Sequence, residues 1–280
     1  MIVSFHPCFE ADLNLICAGR KPGPSDLAAI RQAKAVILSQ GCSEQLYRMA
    51  RKNCPHVFPC WDAKFNYPGK NGQIKLFRKY NISHPQTFLF KDLADFQDKM
   101  SRRNNPPSLP YPFVLKLNWG GEGEGVFFIS SEEKLRIKIK KIEAFETSGH
   151  KGFMIQNFVP CANRSLRVVV IGEQILSYWR VQENKNTFFS HVSKGAHIDY
   201  DSNSDLQHAG QMAVKNVCLK TGINLAGFDL LFPEKSKTLA NPAFFIEINY
   251  FFGRSGLGGS DAYYVLLAEE IQKWIKKLNI

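Results

Sequence analysis

With 280 residues, 44% hydrophobic and 22% charged, the chain has a globular composition and can bury one large core or two smaller ones. A formal net charge of +11 and a pI near 9.3 favour an acidic partner, but no dense Lys/Arg block singles out nucleic acid or a membrane surface, and neither is expected. No apolar run approaches the ~20 residues of a membrane span, the N-terminus lacks the basic segment of a signal peptide, and seven scattered cysteines without a Cys-x-x-Cys spacing point to reduced, mostly buried thiols in a cytoplasmic protein.

The first third alternates short strands and helices. Ile2 to His6, Leu13 to Cys17 and Ala35 to Leu38 read as strands. Ser25 to Ala33 reads as a helix capped by Ser25, and Gly41 to Asn53 as a second helix ended by Pro55. This alternation predicts a parallel sheet in a small accessory α/β lobe over residues 1–66. The lobe is too small for a full dinucleotide-binding domain and has no Gly-x-Gly-x-x-Gly.

A turn at Tyr67-Pro-Gly-Lys70 precedes a helix over Gln73 to Tyr80, a strand over Gln86 to Phe90 and a helix over Asp92 to Met100. Ser101 to Pro112 holds four prolines and reads as a connector. Pro112 to Leu117 and Val126 to Ile129 form a hairpin around Asn118-Trp-Gly-Gly-Glu-Gly-Glu-Gly125. Ser130-x-x-Glu133 predicts a capping box, with Leu135, Ile139 and Ile142 on the helix's inner face and a wet basic face from Lys134 to Lys141.

Phe153 to Val159 is a strand stopped by Pro160. Gly172-Glu173 is a two-residue turn between Leu166–Ile171 and Gln174–Val181. That register pairs residue 167 with 178 and turns Arg167, Tyr178 and Arg180 to one side. Ser204-x-x-Gln207 predicts another capped helix, stopping at Gly222. Ala226 to Phe232 and Phe244 to Asn249 are apolar strands, and Asp261 to Leu278 closes the chain as a helix.

Four glycines, Gly120, Gly121, Gly123 and Gly125, allow successive backbone N–H groups to cradle an anion, or simply make a flexible hairpin tip. The loop lies between two strands, so it is neither a Walker loop nor a Rossmann turn. Lys116 at its root can meet a phosphate or face solvent. Arg167 and Arg180 suit a carboxylate or phosphate, or an ion pair on an exposed sheet face. Glu247 and Asn249, two apart on an apolar strand, project to the same side. With Asp229 they suit a hard cation such as Mg²⁺, or are satisfied by backbone or a lysine.

In order, these pieces resemble the ATP-grasp superfamily, in its glutathione synthetase and ribosomal-protein glutamate ligase branch. The resemblance runs from about residue 67 to 275. It implies an α/β (α+β) ATP-grasp fold, with two α+β subdomains over 67–155 and 156–280 behind a small Rossmann-like lobe. It implies ATP with Mg²⁺, or Mn²⁺ as an alternative. Lys70, Lys116 and the loop glycines would hold the phosphates. The hinge strand, here Gln156, Asn157, Phe158 and Val159, would receive the adenine. Arg180 and Arg167 would surround the γ-phosphate and the acyl group, and Arg254 is the candidate for a substrate carboxylate. His191 stands in a segment that usually begins with Asn. Asp229, Glu247 and Asn249 would hold the metal. Asn157 replaces the usual Glu, and no acidic residue follows the hinge to hold the ribose, since Cys161-Ala-Asn163 stands there.

The implied reaction joins a small-molecule or peptide carboxylate to an amine, or a thiol, through an acyl phosphate. An ATP-binding module without ligation, or a phosphotransferase on the same fold, is the alternative. A homodimer is admissible, although no motif calls for one.

Overall fold

The computed structural model describes residues 1–101, 110–121, 123, 125–184, 195–234 and 243–280. Among them, no helix is long and apolar enough to cross a membrane.

The N-terminal lobe holds β1 (Ile2–Ser4), β2 (Leu13–Asn14), β3 (Ala35–Ile37) and β4 (His56–Phe58) in a fully parallel sheet of order β2-β1-β3-β4. Helices α1 (Pro24–Gln32), α2 (Glu44–Asn53) and α3 (Asp62–Asn66) accompany it. The parallel lobe expected from the sequence is present. Strand β4 and helix α3 were not foreseen, because three and five residues carry too little periodicity to read. The lobe's core is shared: Val36, Phe58 and Trp61 pack in one cluster with Val169, Leu225 and the C-terminal residues Tyr263, Leu267 and Ile271.

Next come α4 (Gly69–Lys79), β5 (Thr87–Phe90), α5 (Leu93–Ser101), β6 (Phe113–Leu117), β7 (Val126–Ile129), α6 (Glu132–Thr147) and β8 (Phe153–Asn157). Their strands form an antiparallel sheet of order β5-β8-β6-β7. A second antiparallel sheet, β11-β10-β9-β12-β13, is built from β9 (Arg164–Ile171), β10 (Gln174–Val181), β11 (His197–Asp199), β12 (Leu225–Leu231) and β13 (Phe244–Asn249). Helices α7 (Ser204–Thr221) and α8 (Gly259–Lys277) complete it. The β9–β10 register pairs Ile171 with Gln174 and Arg167 with Tyr178, as the Gly172 turn requires. Gly172 has φ 60°, which the first position of such a turn demands.

Helix starts differ from the sequence reading by small offsets with clear causes. Helix α1 is capped at Gly23 rather than Ser25, with Pro24 in the first turn and the Asp26 carboxylate accepting from Gly23 N at 2.7 Å. Ser131, not Ser130, caps α6 through Lys134 N. Asn203, in the left-handed region, precedes α7, and Gln207 instead donates back to the Tyr200 and Ser202 carbonyls. Helix α4 begins at Gly69, so Lys70 lies in its first turn rather than in a preceding loop. All seven cysteines are free, but only Cys54 is buried, correcting the expectation of mostly buried thiols.

Candidate functional site

The two antiparallel sheets enclose a cleft of about 320 Å³. Val114, Lys116, Val126 and Gln156 face it from the first sheet, and Arg180, Asp229, Leu231, Ile246 and Glu247 from the second. Apolar side chains line one end and charged ones gather at the other.

At the charged end, Asp229 stands opposite Glu247, and Gly227 opposite Asn249, across β12 and β13. Asp229 is almost fully buried, and two guanidinium groups grip it. Arg167 Nε donates to its Oδ1 at 2.6 Å and Nη2 to its Oδ2 at 3.2 Å, while Arg180 Nη2 lies 2.7 Å from Oδ1. Asn249 Nδ2 also donates to Asp229 Oδ2, at 3.1 Å. A Cβ on Gly227 would come within 3.0 Å of Arg167 Nη1, so the glycine is what admits the guanidinium. Burial works against the charge of Arg167, but the Asp229 carboxylate overcomes it and raises the pKa further. Arg180 also donates to Ser165 Oγ, and its buried Nε has no hydrogen-bond partner among the described residues.

Lys70 reaches this end from α4. Its Nζ donates to Glu247 Oε1 and to the Gly120 carbonyl, both at 2.9 Å. Asn118, at the root of the glycine loop, explains that reach. Its backbone carbonyl accepts from Lys70 N and its Oδ1 from Asn71 N, so it caps α4 from outside the helix. Gly69 has φ 67°, and a Cβ there would stand 2.6 Å from Asn118 Oδ1. Glycine is therefore required on both counts. One turn along α4, Gln73 pairs with both backbone groups of Ile248, through Nε2 to its carbonyl at 2.7 Å and Oε1 from its N–H at 2.9 Å. β13 is an edge strand, and this amide completes its outer ladder beside Glu247.

Lys116 enters from β6 and is buried. Burial lowers its pKa to about 8, with the Glu247 carboxylate opposing that shift and Lys70 adding to it. The glycine loop closes through a 2.8 Å bond from Leu117 N to the Gly125 carbonyl, and Gly120, Gly123 and Gly125 all have positive φ. Gly121 lies in the same loop with open space where a side chain would stand. The structure thus brings together Lys70, Lys116, Gly120, Arg167, Arg180, Asp229, Glu247 and Asn249.

At the apolar end, Val114, Leu231 and Ile246 face the hinge residues Asn157, Phe158 and Val159. Gln156 is buried and spends its Nε2 on Thr87 Oγ1 at 2.9 Å, and Asn157 N bonds the Gln86 carbonyl. An acidic side chain does stand beside the hinge, supplied from elsewhere in the chain. Glu234, just past β12, lines the cleft and accepts from Ala162 N through Oε1 at 2.7 Å. Its own N–H bonds the Pro160 carbonyl at 3.0 Å. Nothing in the sequence signals this contact, because 72 residues separate Glu234 from Ala162.

Arg254 does not line this cleft. It is stacked on Tyr263 and Tyr264, at 4.5 and 4.4 Å, and its Nη1 bonds Ser260 Oγ. His191 lies outside the described residues.

Comparison with known proteins gives these features a context. A family model described as the RimK-like ATP-grasp domain matches residues 69–275. A probable alpha-L-glutamate ligase of Xylella fastidiosa is 26% identical over 158 residues, covering 56% of this chain and 48% of its own length. Another, of Xanthomonas oryzae pv. oryzae, is 24% identical over 186 residues, covering 66% and 57%. The chain spans about half the length of the curated relatives it matches. Among solved structures, a RimK domain ATP-grasp protein of Sphaerobacter thermophilus superposes with a TM-score of 0.63 at 12% identity, covering 96% of this chain and 98% of that one. D-alanine–D-alanine ligase of Bacillus anthracis complexed with ATP gives 0.61 at 13%, covering 95% and 84%. At such identities the likeness establishes the fold: two antiparallel sheets around a cleft, behind a parallel lobe.

Proposed function

The chain belongs to the RimK-like ATP-grasp family, and we propose that it is an ATP- and Mg²⁺-dependent ligase joining a carboxylate to an amine through an acyl phosphate. The observation that carries this reading is the charged end of the cleft. Lysines and arginines from three separate segments converge there on two facing carboxylates, and the buried Arg180 Nε is left as a donor. Seven free cysteines support a cytoplasmic setting.

The residues suit both groups that the family implies. Mg²⁺ is bound by one or two carboxylates together with substrate phosphates. Glu247 and the Oδ1 of Asn249 supply such oxygens from one face of β13, while Asp229 anchors Arg167 and Arg180. Bound there, the ion would neutralise charge on the β- and γ-phosphates. Lys70 would exchange Glu247 for a phosphate, releasing the carboxylate. Lys116 and the amides of Gly120, Gly121, Gly123 and Gly125 would hold phosphate oxygens. Arg180 would turn its free Nε to the transferring group, with Arg167 holding the shared carboxylate in place. Phosphoryl transfer needs such positioning and charge neutralisation more than covalent side-chain chemistry. Val114, Leu231 and the hinge would receive the adenine, and the Oε2 of Glu234, which has no hydrogen bond among the described residues, would accept from the ribose.

The test is ADP release from the full chain with ATP, Mg²⁺ and a panel of acids and amines that includes L-glutamate. Acid-dependent release is expected, with Glu247→Gln slowing it about 100-fold or more, the usual scale for a group that stabilises transition-state charge. Tight ATP binding without acid-dependent turnover across the panel, or an unimpaired Glu247→Gln, would refute the proposal.

A further inference from the structure

Strand β10 is longer than its outer neighbour β11. Antiparallel pairing sends the N–H and C=O of successive residues to opposite edges. Gln174, Leu176, Tyr178 and Arg180 exchange bonds with β9, following the pairing of Gln174 with Ile171 across the Gly172 turn. Ile175, Ser177, Trp179 and Val181 therefore turn theirs to the outer edge. β11 pairs with Trp179 and Val181 and stops at Asp199. Beyond it, the N–H and C=O of Ile175 and Ser177 have no backbone partner among the described residues.

The chain is led away from this edge. Asp199 Oδ1 accepts from the N–H groups of Asp201 and Ser202, and the Ser202 carbonyl accepts from Trp179 Nε1 at 2.7 Å. A groove of about 520 Å³ runs along the stretch left open. One wall is α7, where Gln207 Oε1 accepts from Ser177 Oγ at 2.8 Å and Gln211 Nε2 donates to the same hydroxyl at 2.9 Å. The other is the turn at Gly256, Leu257 and Gly258. A Cβ on Gly256 would collide with Tyr178 Cζ, so this turn lies flat on the Tyr178 ring. Tyr200, half exposed, has its ring 6.0 Å from that of Tyr178.

Native edge strands are commonly protected by a lysine, a proline or a bulge that stops another strand from joining. Gln174 to Tyr178 has none of these, and its register is unbroken. Among the described residues, no charged side chain lines the groove. Unpaired donors and acceptors at strand spacing match one class of ligand, an extended backbone. The walls exclude a second copy of β10, which would bring its own α7 and its own turn against them. A single extended strand carries no such layers.

We propose that an uncharged peptide segment adds to β10 as an antiparallel strand, taking the place that β11 leaves, with backbone bonds to Ile175 and Ser177 and side chains against Tyr178, Tyr200 and Leu257. The proposal goes beyond the ligase reading and does not rest on it. Tyr178 lies opposite Arg167 and two residues before Arg180 on the same face, so a peptide held here is anchored about 7 Å from the charged end of the ATP cleft.

Fluorescence anisotropy with the full chain tests this, using a panel of labelled hexapeptides, acetylated and amidated, built from Val, Thr, Tyr and Ser. At least one should bind saturably, and versions carrying Asp or Lys should bind less tightly. Methylating its backbone nitrogens should weaken it about tenfold or more, the scale for losing two backbone hydrogen bonds. Ile175→Pro removes an outward N–H without breaking a bond to β9, and should also weaken the peptide. Tyr200→Ala should weaken it about threefold or more, as an aromatic wall is lost. Both variants should bind a non-hydrolysable ATP analogue as wild type does, which shows that they fold. If Ile175→Pro fails that control, Tyr200→Ala and the methylated peptide decide. Failure of every peptide in the panel to bind, equal binding of the methylated form, or indifference to Tyr200→Ala would overturn the proposal. So would a dimer in sedimentation that Ile175→Pro dissolves, since a second copy would then occupy the edge.

Discussion

Lys116→Met is expected to stabilise the ligand-free protein while weakening its hold on nucleotide. The lysine is buried in β6, and its pKa falls from 10.5 to about 8, chiefly through loss of solvent. At about 1.36 kcal/mol per pH unit, that fall corresponds to a native-state cost of about 3 kcal/mol while the amine is charged in both folded and unfolded chains. Methionine keeps the unbranched stem and removes the charge, so most of this cost should be recovered. The pH dependence has a fixed sign. Between the two pKa values the unfolded chain binds the extra proton, so wild-type stability gains with rising pH. The advantage of Lys116→Met should therefore be full below about pH 8 and shrink toward zero by about pH 10.5, because above that range the wild-type lysine is neutral in both states. Urea unfolding of both proteins across this range, taken as a difference, isolates the contribution of this one group. ATP affinity should fall about tenfold or more in the same variant, as a phosphate loses a charged donor. A variant less stable than wild type at neutral pH, or a stability gap independent of pH, would refute the account of Lys116 as a strained phosphate ligand.

Asp229→Asn should act in the opposite direction. It leaves the Arg167 and Arg180 guanidinium groups buried without their shared carboxylate, at a cost of about 3–5 kcal/mol in urea unfolding. A loss below about 1 kcal/mol would show that the triad is more solvated than its burial indicates. Glu234→Ala should raise the dissociation constant for ATP about tenfold or more, the lower end for one hydrogen bond to a charged group, and leave 2′-deoxy-ATP less affected. Equal losses for both nucleotides would remove Glu234 from the ribose site.

Much of the nucleotide cleft was legible because its signals are local. The Gly172 turn sets the β9–β10 register, and that register turns Arg167, Tyr178 and Arg180 to one side. Strand alternation alone puts Glu247 and Asn249 on one face. Glycine density marks the loop, and the order of these short motifs carries the family resemblance. What stayed hidden depends on segments far apart in the chain. Lys70 and Glu247 are 177 residues apart, and their contact needs Asn118 to cap α4 and Gln73 to seal the edge of β13. Both look like ordinary polar residues in sequence, because a side chain that bonds a distant backbone leaves no periodic trace.

The helix starts missed by one to four positions have the same origin. The sequence offers several adjacent capping residues, and packing selects among them. Sequence by itself therefore determined which strands and loops carry the side chains proposed to hold phosphate and metal, since side-chain alternation and turn geometry are properties of neighbouring residues. Only the tertiary structure decided which charges meet. It gave Asp229 to two arginines, Glu247 to Lys70 and Glu234 to the hinge, and it stacked Arg254 on Tyr263 and Tyr264 rather than on the walls of the cleft. Those pairings follow from how three sheets pack, and the free energy of a buried charge depends on that packing rather than on the residues beside it in the chain.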